Sequence, residues 1–160
     1  MKALLDSSVL VAAHLPSHPH YAASRDSLRQ ASRGAYQLVI AAHSLAETYS
    51  VLTRLPLRPR ISPQAAWRFL QQNVLPDASV VSLSPDEYMS VLQNAVQEGW
   101  IGGMIYDALI ARAAEKGGVD RLVTLNPRHF ERVWPARAAR IALPETQPPP
   151  YCYRWQIARI

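Results

Sequence analysis

Asp6, Glu47, Asp107 and Asn126 are the side chains of this sequence whose types and placement suit chemistry as well as structure. Three carboxylates gathered in one place repel one another and raise each other's pKa unless a cation sits between them. Oxygen ligands without cysteine select Mg²⁺ or Mn²⁺ over zinc. Such a centre activates water and clamps a phosphodiester for in-line attack, with one or two metal ions. Each residue also has a structural explanation. Asp6, at the end of Lys-Ala-Leu-Leu, suits a helix N-cap. Ser44-Leu-Ala-Glu47 reads as a capping box, with Glu47 reaching back to the first amide. Asn126 precedes Pro127 and also suits a cap. Capping explains Asp107 least. Its i+3, i+4 and i+7 neighbours are Ile110, Ala111 and Ala114, an apolar stripe that faces a core. A carboxylate at the rim of such a stripe needs a partner, Arg112 falls well round the helix, and a metal ion is the economical choice.

The elements that must position these residues alternate between strand and helix. Strands are expected at Lys2–Leu5, 37–40, 79–83, 121–124 and 139–143. The first strand feeds a helix at Asp6-Ser7-Ser8, and a polar helix follows over Tyr21–Ser32. Further helices are expected from Ser44 to about residue 55, from Ser62-Pro63, from Ser84-Pro85-Asp86-Glu87, over Met104–Lys116, and briefly after Asn126-Pro127. This order implies a single α/β domain, residues 1–143, with a mostly parallel sheet and helices on both faces. Ligands of such sheets sit beyond the carboxyl ends of the strands, which is where all four residues fall. The metal-site reading rests on that convergence. Residues 144–160 form a Pro-rich tail carrying Tyr151, Tyr153 and Trp155.

At 160 residues the chain has room for one real core without disulfides. Its single cysteine, Cys152, excludes an intramolecular disulfide framework and a multi-cysteine zinc site, and it fits a reducing cytoplasm. Asp6 interrupts the apolar start too early for an export signal, and no apolar run reaches the roughly 20 residues of a membrane span. The formal charge is +5, carried by 15 Arg and 2 Lys. Arginine suits bidentate phosphate contacts, although on charge alone an Arg-rich solvated surface is the better account.

The segments Ala3-Leu-Leu-Asp6-Ser-Ser-Val, Ser44-Leu-Ala-Glu47, Gly102-Gly103-Met-Ile-Tyr-Asp107-Ala-Leu-Ile and Leu122-Val-Thr-Leu-Asn126-Pro-Arg-His-Phe130 together resemble the PIN-domain family. Their order and spacing are similar to the VapC-like ribonuclease toxins of toxin–antitoxin pairs, over about residues 2–142. The resemblance implies a PIN-like fold and Mg²⁺- or Mn²⁺-dependent endoribonuclease activity. It also implies homodimerisation and inhibition by a small antitoxin protein. Asp6, Glu47 and Asp107 then match the acidic metal-site positions, and Ser8 and Thr124 match the hydroxyls that support them. Asn126 stands where many relatives carry a fourth acid, which puts a second metal in question.

Among other residues, His14, His18 and His20 share a Pro16/Pro19 loop and read as exposed histidines or a lid over the site. Arg128 and His129 read either as substrate-phosphate contacts or as a solvated helix face. Trp67 and Phe69 read as packing, because they fall in a helix without the pattern of a base-stacking sheet. Two rival functions remain open at this point. One is another metal-dependent phosphoesterase, although a haloacid-dehalogenase-type nucleophile site needs an Asp where Ser8 stands. The other is a catalytically weakened RNA-binding or scaffold domain, for which Asn126 speaks and three intact acids do not.

Overall fold

In the computed structural model, residues 1–146 are described. The tail cluster Tyr151, Tyr153 and Trp155, together with Cys152, lies outside them. The elements run β1 (Lys2–Leu5), α1 (Ser7–His14), α2 (Tyr21–Ser32), β2 (Gln37–Ala41), α3 (Ala42–Arg54), α4 (Pro63–Asn73), β3 (Ala78–Val81), α5 (Pro85–Glu98), α6 (Met104–Lys116), β4 (Arg121–Val123), α7 (Pro127–Val133) and β5 (Ile141–Ala142). Short 3₁₀ turns at Leu75–Asp77 and Pro135–Arg140 join them. The five strands pair in the order β3-β2-β1-β4-β5, and every pairing is parallel.

Side chains of successive strand residues alternate between two buried faces. Leu5, Leu38, Ile40 and Val123 pack against α1, α2, α3 and α4. Leu4, Val39, Ala41 and Leu122 pack against α6 and α7. Burial on both faces is why these strands read as continuous apolar runs instead of alternating ones. Helix α5 joins the second layer through Val91, which packs with Ala108 and Leu109 of α6. β1 is central, so the chain leaving it at Asp6 emerges between both neighbours at the carboxyl edge.

Local signals largely behave as expected. The Ser62 hydroxyl caps α4 by accepting from the Ala65 amide. Ser84 and Glu87 form a complete capping box at α5. The Ser44 box does not form. Helix α3 starts two residues earlier, directly from β2, with Ala41 in the cap position and Ser44 already inside the helix. The tight β2–α3 junction therefore overrides the capping signal and frees Glu47 for another partner. The last strand is only two residues long, because 139 and 140 belong to a 3₁₀ turn. His14 ends α1 instead of lying in the following loop, and its ring packs on Phe69 at 4.6 Å. Phe69 is core, whereas Trp67 is 51% exposed, so the packing expectation holds for one of the two. No helix among the described residues is long and apolar enough to cross a membrane.

Candidate active site

Asp6 is the buried centre of the site. Its backbone amide extends the β1–β4 pairing by donating to Val123, and its carbonyl accepts from the Val9 and Leu10 amides. The side chain, although in the N-cap position, makes no cap bond. It receives hydroxyls instead: Ser8 Oγ donates to Oδ2 at 2.6 Å and Thr124 Oγ1 to Oδ2 at 2.8 Å, while Ser7 Oγ lies 3.1 Å from Oδ1. Each hydroxyl has one proton, so what it accepts fixes where that proton goes. The Leu125 amide donates to Ser8 Oγ and the Asn126 amide to Thr124 Oγ1. Both hydroxyls are thereby turned to give their protons to Asp6. Such donors suit a carboxylate and hold it in one orientation, although it is only 2% exposed.

Glu47, in the second turn of α3, is brought to the same place by Ser7. Ser7 Oγ donates to Glu47 Oε2 at 2.8 Å while lying 3.1 Å from Asp6 Oδ1. One hydroxyl thus bridges two carboxylates that are 41 positions apart in sequence. Asp107 sits in the first turn of α6, half-buried. Burial pushes its pKa up to about 6 from 3.8, and the negative charges of Asp6 and Glu47 push the same way. His129 Nδ1, 3.4 Å from Asp107 Oδ2, acts in the opposite sense. Across the described residues no Lys or Arg pairs with any of the three acids. Arg112 turns instead to Glu87 and Glu115, as its position round the helix requires.

Asp6, Ser7, Ser8, Glu47, Asp107 and Asn126 line one open cleft of about 460 Å³. His18 and His20 stand on its wall, so the loop after α1 does border the site. Asn126 is exposed at the rim and its side chain makes no cap bond to α7, despite standing in the cap position. Arg128 lies in an adjoining depression shared with Asn126, His129 and Arg132. Among the described residues, no three His, Cys, Asp or Glu side chains are drawn together closely enough to hold a metal ion as they stand. The acids converge on one cleft without closing on a point.

Two contacts escaped the sequence reading. Ser7 has no signal of its own there, since a serine beside an N-cap is ordinary. His129, expected at substrate phosphate or on a solvated helix face, lies against Asp107; its position three residues after Asn126, on the helix that follows β4, is compatible with that contact but does not demand it.

Comparison with known proteins places the chain. The sequence profile of the PIN domain matches residues 3–134. Ribonuclease VapC40 of Mycobacterium tuberculosis is 33% identical over 126 residues, covering 79% of this chain and 87% of that protein. In solved structures, the fold is similar to that of Mycobacterium tuberculosis VapC20, a sarcin–ricin loop cleaving toxin, with a TM-score of 0.59 at 16% identity. That match covers 75% of this chain and 86% of VapC20. It is also similar to a chain of VapBC2 from Rickettsia felis bound to a promoter DNA fragment, with a TM-score of 0.58 at 21% identity, covering 84% and 94%. The chain belongs to the PIN-domain family, in its VapC-like branch.

Proposed function

We propose that this protein is a metal-dependent endoribonuclease, the toxin of a toxin–antitoxin pair, acting in the cytoplasm. The observation that carries the reading is the acidic cleft itself. A buried carboxylate is held by the Ser8 and Thr124 hydroxyls opposite two further acids, and among the described residues no Lys or Arg side chain offsets them, in a protein whose formal charge is +5. Burial first, and then the charges of Asp6 and Glu47, raise the pKa of Asp107, so a cation between the three acids would be favoured there. An all-oxygen donor set fits Mg²⁺, with Mn²⁺ as the alternative.

Asp6, Glu47 and Asp107 would hold the ion, and Asn126 at the rim offers a neutral amide in place of a fourth charge. When bound, the cation supplies Lewis acidity towards water and phosphate oxygens. The chain's own residues do the rest. Ser8 and Thr124 hold Asp6 in one rotamer, and Ser7 keeps Glu47 in register with it. Arg128 and Arg132, one turn apart on α7 beside the cleft, suit RNA phosphates on either side of the bond to be cut. Met89, Leu92 and Val96 form an exposed apolar row on α5, a face suited to a second copy of the chain. VapC40 is a ribonuclease and the Rickettsia structure is a VapBC assembly. By the same pattern, a small antitoxin protein that places a cation in the acidic cleft would silence the enzyme.

Purified protein should cut single-stranded RNA with Mg²⁺ or Mn²⁺, stop with EDTA and leave 5′-phosphate ends. Unchanged cleavage in EDTA, or 2′,3′-cyclic phosphate ends, refutes the mechanism. Expression without a partner should arrest growth, and Asp6→Ala should relieve the arrest. Asn126 favours one second reading, a weakened RNA-binding domain, which predicts RNA binding without cleavage under every metal.

A further inference from the structure

A pair of stacked rings joins the two helices that carry Glu47 and Asp107. The His43 ring on α3 and the Tyr106 ring on α6 are 4.9 Å apart, inclined by only 19°. His43, Glu47 and Val51 are spaced four residues apart along α3 and so form one row. Glu47 and Val51 line the acidic cleft, and His43 continues their row by one turn. Tyr106 directly precedes Asp107. It also stands one turn before Ile110, which is fully buried, yet Tyr106 is itself 46% exposed. Its row therefore leaves the core at Tyr106 and presents an aromatic surface to solvent on the residue next to Asp107. A ring needed only for packing between α3 and α6 would gain more by burial than by this exposure.

We infer that His43 and Tyr106 form a stacking shelf for an unpaired nucleobase beside the scissile phosphate, an inference that rests on the ribonuclease reading above. Every nucleobase has a π-face, so a shelf of this kind captures bases with little regard to sequence. A base inside a duplex is already stacked and paired, which makes the shelf selective for looped or single-stranded RNA. Anchoring one base at the rim would hold the adjoining phosphate over Asp6, Glu47 and Asp107, converting loose binding into a defined reacting geometry.

The test uses the full chain with Mg²⁺ and short single-stranded RNAs that carry the fluorescent base 2-aminopurine at each position in turn. Stacking on the shelf should quench the probe at one position next to the cleavage point. Pairing the RNA with its complement should abolish that quenching and slow cleavage. Tyr106→Ala should raise KM by about 5- to 100-fold, the usual effect of losing one base–aromatic stack, with a smaller change in kcat. Tyr106→Phe should recover the wild-type KM, because the ring and not the hydroxyl carries the role. His43→Ala gives an independent second variant and should weaken quenching in the same position. Unchanged KM and quenching in Tyr106→Ala, or equal losses in Tyr106→Ala and Tyr106→Phe, would overturn the shelf while leaving the ribonuclease reading intact. Absence of RNA cleavage by the wild-type protein with either cation would overturn both.

Discussion

Replacing Asp107 with Asn should make the metal-free protein more stable while disabling it. Asp107 is held near Asp6 and Glu47, with its side chain 18% exposed, and its pKa is raised from 3.8 to about 6 by burial and by those two charges. A carboxyl whose folded-state pKa is raised binds its proton more tightly in the folded protein. Its favourable contribution is complete below 3.8 and is lost as pH rises through about 6, so at neutral pH the ionised group opposes folding. At about 1.4 kcal/mol per tenfold change in proton affinity, the displacement sets an upper bound of about 3 kcal/mol. Solvent screening in an open cleft reduces this to about 1–2 kcal/mol. The favourable position of Asp107 in the first turn of α6 offsets only a few tenths of a kcal/mol. In EDTA at neutral pH, Asp107→Asn should therefore raise Tm by roughly 2–8 °C for a domain of this size. The gain should shrink as pH falls towards 4, where the wild-type carboxyl is protonated too. Added Mg²⁺ should stabilise the wild type more than the variant, because only the wild type carries the full ligand charge. Thermal melts across pH, with EDTA and with Mg²⁺, measure all of this. A variant less stable than wild type in EDTA, or a difference independent of pH, would show that Asp107 is structural and that the electrostatic reasoning is wrong.

Ser7→Ala removes the hydroxyl shared by Asp6 and Glu47. It should lower kcat by roughly ten-fold, the scale of one hydrogen bond to a charged group, with KM little changed in steady-state assays. Asn126→Ala should leave Tm unchanged, because its side chain makes no cap bond, whereas a working cap would cost about 1 kcal/mol. Asn126→Asp adds ligand charge and should lower the Mg²⁺ concentration for half-maximal cleavage in a metal titration. Ser84→Ala, which breaks the capping box at α5, should cost about 1 kcal/mol in chemical denaturation. Ser44→Ala should cost nothing or stabilise, because the buried Ser44 hydroxyl has no partner.

The fold was legible because its signals are local. Apolar runs of four or five residues ended at turn residues, and helices opened with Ser-Pro pairs whose caps form in the structure at Ser62 and Ser84. The misjudged places are those where tertiary continuity outweighed a local preference. Ser44 carries a good capping signal, but β2 runs straight into α3 at Ala41–Ala42, and no residue is free to act as a separate cap. Residues 139 and 140 sit in a turn because the chain must come round from α7 before β5 can pair with β4.

The site was legible in its acids and not in what holds them, and the difference has a physical cause. Strand–helix order alone sends the ends of β1 and β4, the first two turns of α3 and the first turn of α6 towards one edge, which brings Asp6, Glu47 and Asp107 together without reference to any side-chain contact. Hydroxyl partners depend on rotamers and on which lone pairs are already taken. Thr124 and Ser8 direct their protons to Asp6 only because the Asn126 and Leu125 amides occupy their acceptor sides. Ser7 looks like any residue after a cap until α3 brings Glu47 within 2.8 Å. At Asn126 the carbonyl, not the side chain, accepts from the His129 amide, and the side chain is left exposed at the cleft rim. Backbone order thus decides which acids meet, and a small set of hydroxyls and amides decides how they are aimed.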